Sequence, residues 1–359
     1  MGRPIPPTSE EVSWQLARPQ DSLVTSVVAA SAICSALATV FVGLRIWSKR
    51  LLHGKIRLEI NDIFCIVALV FFYGTETVIA VATLYGLGRH VAFIEDIRLV
   101  HILALTSENF YPLVLAFLKL SVLSLYRQLF KINVWFHRIT WAVSFAVASH
   151  NAVVILVSNL QCIPISASWD LTIKGTCIDL SLLGILFYIP NIVSDIVILS
   201  MPIPLVLKLQ TSRQKKWMLI ATFATGGSAC IVSIVQLKYI PKLGNTTDET
   251  WDHAPIAIIV SVECMIGFLA VSIATYRPLY RYLVTGTSLP QATPNGYRTL
   301  IKEPCGAQGS AAKRPYSKDS INRATHRIAT RDEVDLMCHV DRDSVWIRVD
   351  TDDAVISNS

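Results

Sequence analysis

Seven long apolar stretches constrain the fold of this sequence more than any other feature. A helix needs about 20 apolar residues to cross the hydrocarbon core of a bilayer. Stretches of that length lie at roughly 22–44, 61–85, 101–126, 139–160, 181–207, 217–240 and 254–276. Only 16% of the 359 residues are charged, whereas soluble domains carry about 25%. The sequence therefore predicts an all-α membrane protein with seven transmembrane helices.

The basic residues between these stretches predict the orientation. Lys and Arg in short connections are retained on the cytoplasmic side. The connections on one side hold fourteen of them, from Arg45 to Arg281, and those on the other side hold seven. This asymmetry predicts an N-terminus outside and a C-terminus in the cytoplasm. It also accounts for much of the net charge of +6, so we expect no nucleic-acid partner.

The chain divides by composition into three parts. We expect residues 1–20 to form a short extracellular N-terminal segment and residues 21–280 to form the seven-helix membrane domain. Residues 281–359 lack long apolar runs and are rich in Ser, Thr, Arg and Asp, which predicts a largely disordered cytoplasmic tail. One stretch of the tail, "DSVWIRVDTD", alternates apolar and polar residues and is a candidate strand. We expect the plasma membrane as the location, with an internal membrane as the alternative.

Two cysteines and one sequon lie on the predicted outer side. Cys162 and Cys177 share one outer connection. In an oxidising compartment they can form a disulfide, and the alternative is a pair of free thiols. Asn245 begins an "NTT" acceptor sequon in another outer connection, which makes it a candidate glycosylation site.

Ionisable side chains within the apolar stretches are the candidate functional residues. A charge in the middle of a membrane costs roughly 2.5–3.5 kcal/mol on insertion scales, so such groups usually face the bundle interior and have partners. The candidates are Glu76, Lys119, Asp195 and Glu263. Lys119 has two carboxylates at reachable depth, Asp195 and Glu263, and otherwise extends to the cytoplasmic headgroups. Asn191 lies one turn from Asp195 and extends this predicted polar network.

Several classes of protein are excluded by missing motifs. The seventh stretch contains no lysine to form a retinal Schiff base, so we expect no retinal and no other cofactor. The third stretch ends in "LYRQLF" rather than Asp-Arg-Tyr, and no Asn-Pro-x-x-Tyr closes the seventh. These are the common signatures of G-protein-coupled receptors. We find no His/Cys cluster that predicts a metal site.

The ordered motifs of residues 40–282 resemble the fungal rhodopsin-like domain family. They include "NDIFCIVAL", "YGLGRH", "FLKLSVLSLYRQLF", "QCIPISASWD" with "GTCID", "NIVSDIVILSMPIPLVLKLQ" and "TWDHAPIAIIVSVEC". The resemblance implies seven membrane helices and an outer disulfide between Cys162 and Cys177. It also implies that Lys119, Asn191, Asp195 and Glu263 occupy family motif positions. The sequence departs from the family at Gln236, where Arg is common.

Two functions of different classes remain open. The first is a receptor-like or accessory membrane protein that binds a small apolar ligand in the bundle and reaches a cytoplasmic signalling partner through its loops and tail. Some members of this family are encoded in secondary-metabolite gene clusters. The resemblance therefore implies a link between this chain and such a pathway. The alternative is a membrane-embedded cyclase or isomerase of an apolar intermediate, with Glu76, Asp195 or Glu263 as the general acid. A transporter is less favoured because the sequence shows no repeated halves.

Overall fold

The computed structural model describes most of the membrane region and part of the C-terminal region. Described are residues 8–53, 58–129, 134–170, 172–204, 213–243, 246–273, 275–276, 334–340, 343–350 and 353–356. The chain divides into two compact units, residues 1–292 and 293–359.

Helices make up the first unit. They are α1 (Ser9–Leu16), α2 (Val24–His53), α3 (Ile60–Leu84), α4 (Ile97–Leu129), α5 (Val134–Asn159), α6 (Leu180–Ser200), α7 (Arg213–Leu243) and α8 (Glu249–Ile273). Short 3₁₀ turns lie at Val91–Phe93 and Ile165–Ser168.

Within the described residues, six helices are long and apolar enough to cross a membrane: α2, α3, α4, α5, α6 and α8. The protein is therefore a multi-pass helical membrane protein. The remaining predicted stretch, 217–240, lies within α7, which is not one of the six. Seven crossings stay a prediction.

Helix α4 lies at the centre of the bundle. It packs against α3, α5, α6 and α8, while α2 packs on α3 and α8, and α7 packs on α6 and α8. About two thirds of the apolar window of α4 is buried, 67% compared with 28% for α5. Of the six candidate membrane helices α4 has the lowest mean hydropathy, and a central position keeps its polar side chains against other helices rather than lipid.

The main hydrophobic core joins α2, α3, α4 and α8. Its buried side chains include Phe72, Leu118 and Phe268, and the rings of Phe72 and Phe268 have centroids 5.5 Å apart. At Gly267 a Cβ atom would come within 2.8 Å of Leu118 Cδ1. Glycine therefore permits the close approach of α4 and α8.

The bundle has two ends, which we name by their residues. The outer end carries a two-stranded hairpin of β1 (Cys162–Ile163) and β2 (Thr176–Cys177), and its cysteines are bonded. The inner end carries the last turns of α2 and the first turn of α3. The names follow the predicted orientation.

The turn after α3 explains the "YGLGRH" motif. Gly86 and Gly88 have φ angles of +113° and +89°, a region that side chains with a Cβ rarely adopt. Gly88 accepts a hydrogen bond from Leu23 N–H at 2.8 Å and donates one to the Thr250 carbonyl at 3.0 Å. The motif thus connects the outer ends of α2, α3 and α8.

The N-terminal segment contains a helix that the sequence analysis did not predict. Thr8 and Glu11 form a capping box at the start of α1, in which the Thr8 N–H donates to Glu11 Oε2 at 2.8 Å. The helix packs on the outer end, where the buried Gln15 accepts a hydrogen bond from Ala92 N–H at 3.2 Å. The signal in the sequence is the Thr-x-x-Glu spacing.

The second unit contains an antiparallel sheet of β3 (Val334–Val340), β4 (Asp343–Asp350) and β5 (Asp353–Ile356), in the order β3-β4-β5. These three strands are described parts of residues 281–359, and the largely disordered tail stays a prediction. The alternation in "DSVWIRVDTD" was the correct indication, since β4 covers most of it and alternation is typical of strands. The other tail residues lie outside the described ones.

The Glu11 capping box predicts a pH dependence for α1. Hydrogen bonds from the backbone N–H and the hydroxyl of Thr8 lower the pKa of Glu11. A carboxyl whose pKa is depressed by folding stabilises the folded state above its unfolded pKa, and this stabilisation is lost as pH falls through the folded pKa. We expect the amides of α1 to lose protection from hydrogen exchange as pH falls through this range. Glu11→Gln should remove the dependence and Glu10→Gln should keep it; a Glu11→Gln profile identical to that of the unchanged protein would contradict the prediction.

The disulfide predicts a measurable loss of stability when it is removed. Cys162 and Cys177 are separated by 15 positions, and closing a loop of that size contributes about 3 kcal/mol in the chain-entropy model. The double variant Cys162→Ser/Cys177→Ser should lose about this free energy of unfolding, measured by denaturant titration in mixed micelles. Dithiothreitol should lower the stability of the unchanged protein equally and leave the double variant unaffected.

Candidate functional site

Lys119 lies in the bundle interior between α4 and α6. Its Nζ atom is 2.9 Å from Asp195 Oδ1 and donates to Asn191 Oδ1 at 2.6 Å and Ser194 Oγ at 2.7 Å. The side chain is only 8% exposed, so it does not extend to the headgroups. Of its two candidate carboxylates, Lys119 pairs with Asp195.

Glu263 belongs to a separate set of contacts. The Tyr111 hydroxyl of α4 donates to Glu263 Oε2, and Ser233 Oγ of α7 donates to Glu263 Oε1 at 2.5 Å. Gln236 Nε2 donates to the Tyr188 hydroxyl at 2.8 Å. The structure thus joins three of the four predicted network residues around Lys119, and joins Glu263 to α4 and α7 instead.

Gln236 is the position at which the sequence departs from the family that it resembles, where Arg is common. The side chain is fully buried in α7, and its Oε1 lies 3.4 Å from the Tyr111 hydroxyl. A neutral amide therefore completes the polar set around Tyr111 and Tyr188 without adding a charge beside Glu263.

Glu76 is the exception among the predicted residues. It is 5% exposed, and neither carboxylate oxygen has a hydrogen-bond partner among the described residues. Ser31 of α2 and Ser261 of α8 lie close to it. It does not line the cavity described below.

A second ionic cluster at the inner end was missed by the sequence analysis. Arg45 is fully buried, and its Nε donates to Asp62 Oδ1 at 2.9 Å while its Nη1 donates to the Val271 carbonyl at 2.6 Å. Lys49 Nζ lies 2.7 Å from Asp62 Oδ2. Both basic residues were counted as connection charges, because their place near the end of an apolar stretch resembles a boundary. Their spacing of four, which puts them on one helix face, was the available signal.

The outer end carries two pairs of histidine and acid. His90 Nδ1 lies 2.5 Å from Asp248 Oδ2, and the imidazole stacks on Trp251 with centroids 4.5 Å apart. His101 Nε2 lies 3.0 Å from Glu249 Oε2. These pairs connect α8 to the turn after α3 and to α4.

A cavity of about 180 Å³ lies in the outer half of the bundle. Helices α3, α4, α6 and α8 supply most of its wall. The lining is mainly apolar, and includes Ile79, Leu103, Phe187, Ile256 and Val260. Ionisable side chains are few and lie on α4, α6 and α8: His101, Glu108, Tyr111, Tyr188, Glu249 and His253.

This cavity has the composition of a small-molecule site, since such sites are mostly apolar with a few placed polar groups. An apolar cavity of about 150 Å³ is large enough to bind benzene. The sequence analysis proposed a ligand in the bundle but did not identify Glu108, His101 or His253 as lining residues. Helical spacing contained the signal: Glu108 follows His101 by seven residues, which places both on one face of α4.

Among the described residues, no group of three or more His, Cys, Asp or Glu side chains is placed to hold a metal ion. Asn245 and its predicted glycosylation lie outside the described residues.

A helical bundle with a central helix, an outer disulfide hairpin and a largely apolar cavity defines a multi-pass membrane protein. The model of the fungal rhodopsin domain matches residues 44–282. The chain belongs to this family.

Three relatives show the range of the family. A SAT4 family membrane protein of Emericella nidulans is 31% identical over 54% of this chain and 53% of its own length. Satratoxin biosynthesis SC1 cluster protein 4 of Stachybotrys chartarum is 28% identical over 44% of this chain and 60% of its own. Receptor GIN3 of Arthrobotrys oligospora is 24% identical over 84% and 74%.

The chain thus spans about half the length of the first two relatives. No solved structure matches it.

The pair of Lys119 and Asp195 predicts a strong, non-additive effect on stability. Removing one member of a buried ion pair leaves an uncompensated charge and costs about 3–5 kcal/mol, whereas replacing both is far less costly. We expect Lys119→Met and Asp195→Leu each to lose stability in this range, and the double variant to lose less than either alone. Denaturant titration in mixed micelles measures all four proteins. Additive losses would show that the two groups do not interact.

Proposed function

We propose that this protein is a receptor-like or accessory membrane protein that binds a small, largely apolar molecule in the cavity of the outer bundle. The single observation that carries the proposal is the cavity itself. Its wall is built by four helices, so an occupant contacts α3, α4, α6 and α8 at once. A ligand that binds one arrangement of these helices more tightly than another shifts the population between them.

A chain of contacts leads from the cavity into the rest of the bundle. Tyr111 lines the cavity and its hydroxyl donates to Glu263, which also accepts from Ser233 of α7. Movement of the Tyr111 ring therefore changes the contacts of α7 and α8. The Lys119 contacts hold α4 to α6 two turns further in. These contacts support a route by which occupancy changes the packing at the inner end.

The finer topology belongs to the same proposal. The protein lies in the plasma membrane and crosses it seven times. Its N-terminus is outside the cell and its C-terminus is in the cytoplasm. The bias of Lys and Arg and the disulfide between Cys162 and Cys177 support this orientation. A cytoplasmic partner then meets the basic inner connections and the tail.

The relatives support a role in small-molecule biology. One is named as a receptor, and another as a protein of a satratoxin biosynthesis cluster. We extend to this chain only the general theme, a membrane protein associated with a secondary-metabolite pathway.

A cavity-filling variant tests the proposal with toluene as the probe. Ala257 lines the cavity, whereas Ala152 lies on an exposed face of α5. We expect Ala257→Phe to weaken saturable toluene binding by about tenfold or more, which corresponds to at least about 1.4 kcal/mol. Ala152→Phe adds the same ring and should leave binding unchanged. Calorimetry on protein in lipid nanodiscs measures this, with empty nanodiscs as the blank.

If Ala257→Phe binds toluene as tightly as the unchanged protein does, the probe binds outside the cavity and the proposal is overturned. A loss with Ala152→Phe of the same size as that with Ala257→Phe would also overturn it.

The second candidate function is a membrane-embedded cyclase or isomerase. One observation favours it: the cavity wall carries the Glu108 carboxyl and Tyr111, and Tyr111 is bound to Glu263. Carboxyl groups in an apolar site can act as general acids toward an alkene or epoxide. Among the three general-acid candidates, Glu263 is the one connected to the cavity, while Glu76 and Asp195 do not line it.

Product analysis separates the two candidates. Membranes with and without the protein are incubated with apolar pathway intermediates, and products are measured by mass spectrometry. A new product that is lost in Glu263→Gln at equal protein level would favour the enzyme. Binding without turnover favours the receptor-like function.

A further inference from the structure

Of the two carboxyl groups that line the cavity in the described residues, Glu249 is paired with His101 and Glu108 has no hydrogen bond or ion pair. Glu108 lies on α4 and lines the wall. Burial and an electrostatic interaction with the Tyr188 hydroxyl are the influences described for it. A carboxyl group in a membrane interior is costly and is normally retained with a partner. The cavity is where such a partner would sit.

Several other polar groups of the wall have partners within the protein, although His101 Nδ1 has none among the described residues. His101 Nε2 is paired with Glu249, and His253 Nδ1 is 3.0 Å from the Glu249 carbonyl oxygen. The Tyr111 hydroxyl is bound to Glu263. Glu108 thus differs from its neighbours in what it offers an occupant of the cavity.

The backbone at Glu108 adds a second acceptor. Pro112 lies inside α4, four residues after Glu108. Proline has no N–H, so the carbonyl oxygen of Glu108 lacks its regular helical partner. Side chain and main chain of one residue both present hydrogen-bond acceptors.

The charges of the wall select against anions. No lysine or arginine is among the described residues that line the cavity, while two carboxyl groups are, Glu108 and Glu249. Lys119, the basic residue of the same helix, is occupied by Asp195. A ligand carboxylate or phosphate would meet like charge without a compensating cation.

From these observations we infer that Glu108 is the specificity-determining residue of the cavity, and that the ligand is an apolar molecule carrying a hydrogen-bond donor, an amine or a hydroxyl. This inference rests on the proposed binding function and names its ligand class. The cavity volume of about 180 Å³ corresponds to a ring-sized apolar body. The donor group lies against Glu108 and the ring lies among the apolar side chains of α3 and α8.

Four probes that share one ring test the inference: toluene, benzyl alcohol, benzylamine and benzoate. Each is titrated into the full-length protein in lipid nanodiscs, and binding to empty nanodiscs is subtracted. We expect benzyl alcohol and benzylamine to bind more tightly than toluene, and benzoate to bind most weakly. Glu108→Gln and Glu108→Leu should reduce the preference for donors over toluene, while toluene binding persists.

The size of the loss distinguishes the two kinds of donor. A charge-assisted hydrogen bond is about twice as strong as a neutral one. Glu108→Gln keeps an acceptor but removes the charge, so a ligand site built for an amine should lose about tenfold or more of its benzylamine affinity. A site built for a hydroxyl should lose only about two- to threefold of its benzyl alcohol affinity.

Glu76→Gln is the matched control. It also neutralises a carboxyl group within the bundle that forms no ion pair in the described residues, but that group does not line the cavity. The probe preferences should stay those of the unchanged protein.

Two results would overturn the inference and leave the proposed function intact. One is toluene binding that depends on Ala257 with no preference for donor probes. The other is a preference that survives both Glu108 variants. If no probe shows binding that depends on Ala257, the proposed function itself fails.

Discussion

The requirement that polar groups inside hydrocarbon find partners within the protein governs the whole bundle. In lipid no water satisfies an exposed amide, amine or carboxyl, so such groups are normally bonded internally or face a cavity. Glu76 is the exception, since it lines no described cavity and its oxygens have no hydrogen-bond partner among the described residues. Lys119 shows the consequence most clearly: its ammonium group binds Asp195 and Asn191. These bonds fix α4 against α6, because the groups have no alternative partner in the membrane interior.

The same requirement sorts the ionisable residues into two groups. Arg45, Lys119 and Glu263 form hydrogen bonds or ion pairs with side chains and carbonyls of neighbouring helices. They connect α2 with α8, α4 with α6, and α7 with α8. Glu76 and Glu108 are different: neither carboxyl group forms an ion pair among the described residues, and only the hydroxyls of Ser31 and Ser261 lie close to Glu76. The first group accounts for the arrangement of the bundle, while Glu108 faces the space where a ligand is proposed.

Much of the fold could be predicted from the sequence, and the features that were not predicted have physical causes. The predicted boundaries lie within about five residues of the helix ends except at the C-terminal ends of α2 and α6, because length and hydropathy determine a membrane helix almost without reference to its neighbours. Arg45 was assigned to a connection because hydropathy falls gradually at the end of a helix, and only its neighbours reveal burial. A scan for long apolar stretches also does not detect the short helix Ser9–Leu16, whose signal is a capping box. The strands from Val334 are likewise too short and too polar for such a scan, and their signal is the alternation of apolar and polar residues.

Three properties could be established without a structure: the chain forms membrane helices, Cys162 and Cys177 share one connection, and Lys119 and its candidate partners lie within apolar stretches. These properties depend on composition and spacing along one chain. The packing of the helices was needed to show that Lys119 pairs with Asp195 rather than Glu263, that Arg45 is buried, and that Glu108 lines a cavity. Those outcomes depend on how each helix is rotated about its axis, which is set by packing against several other helices at once.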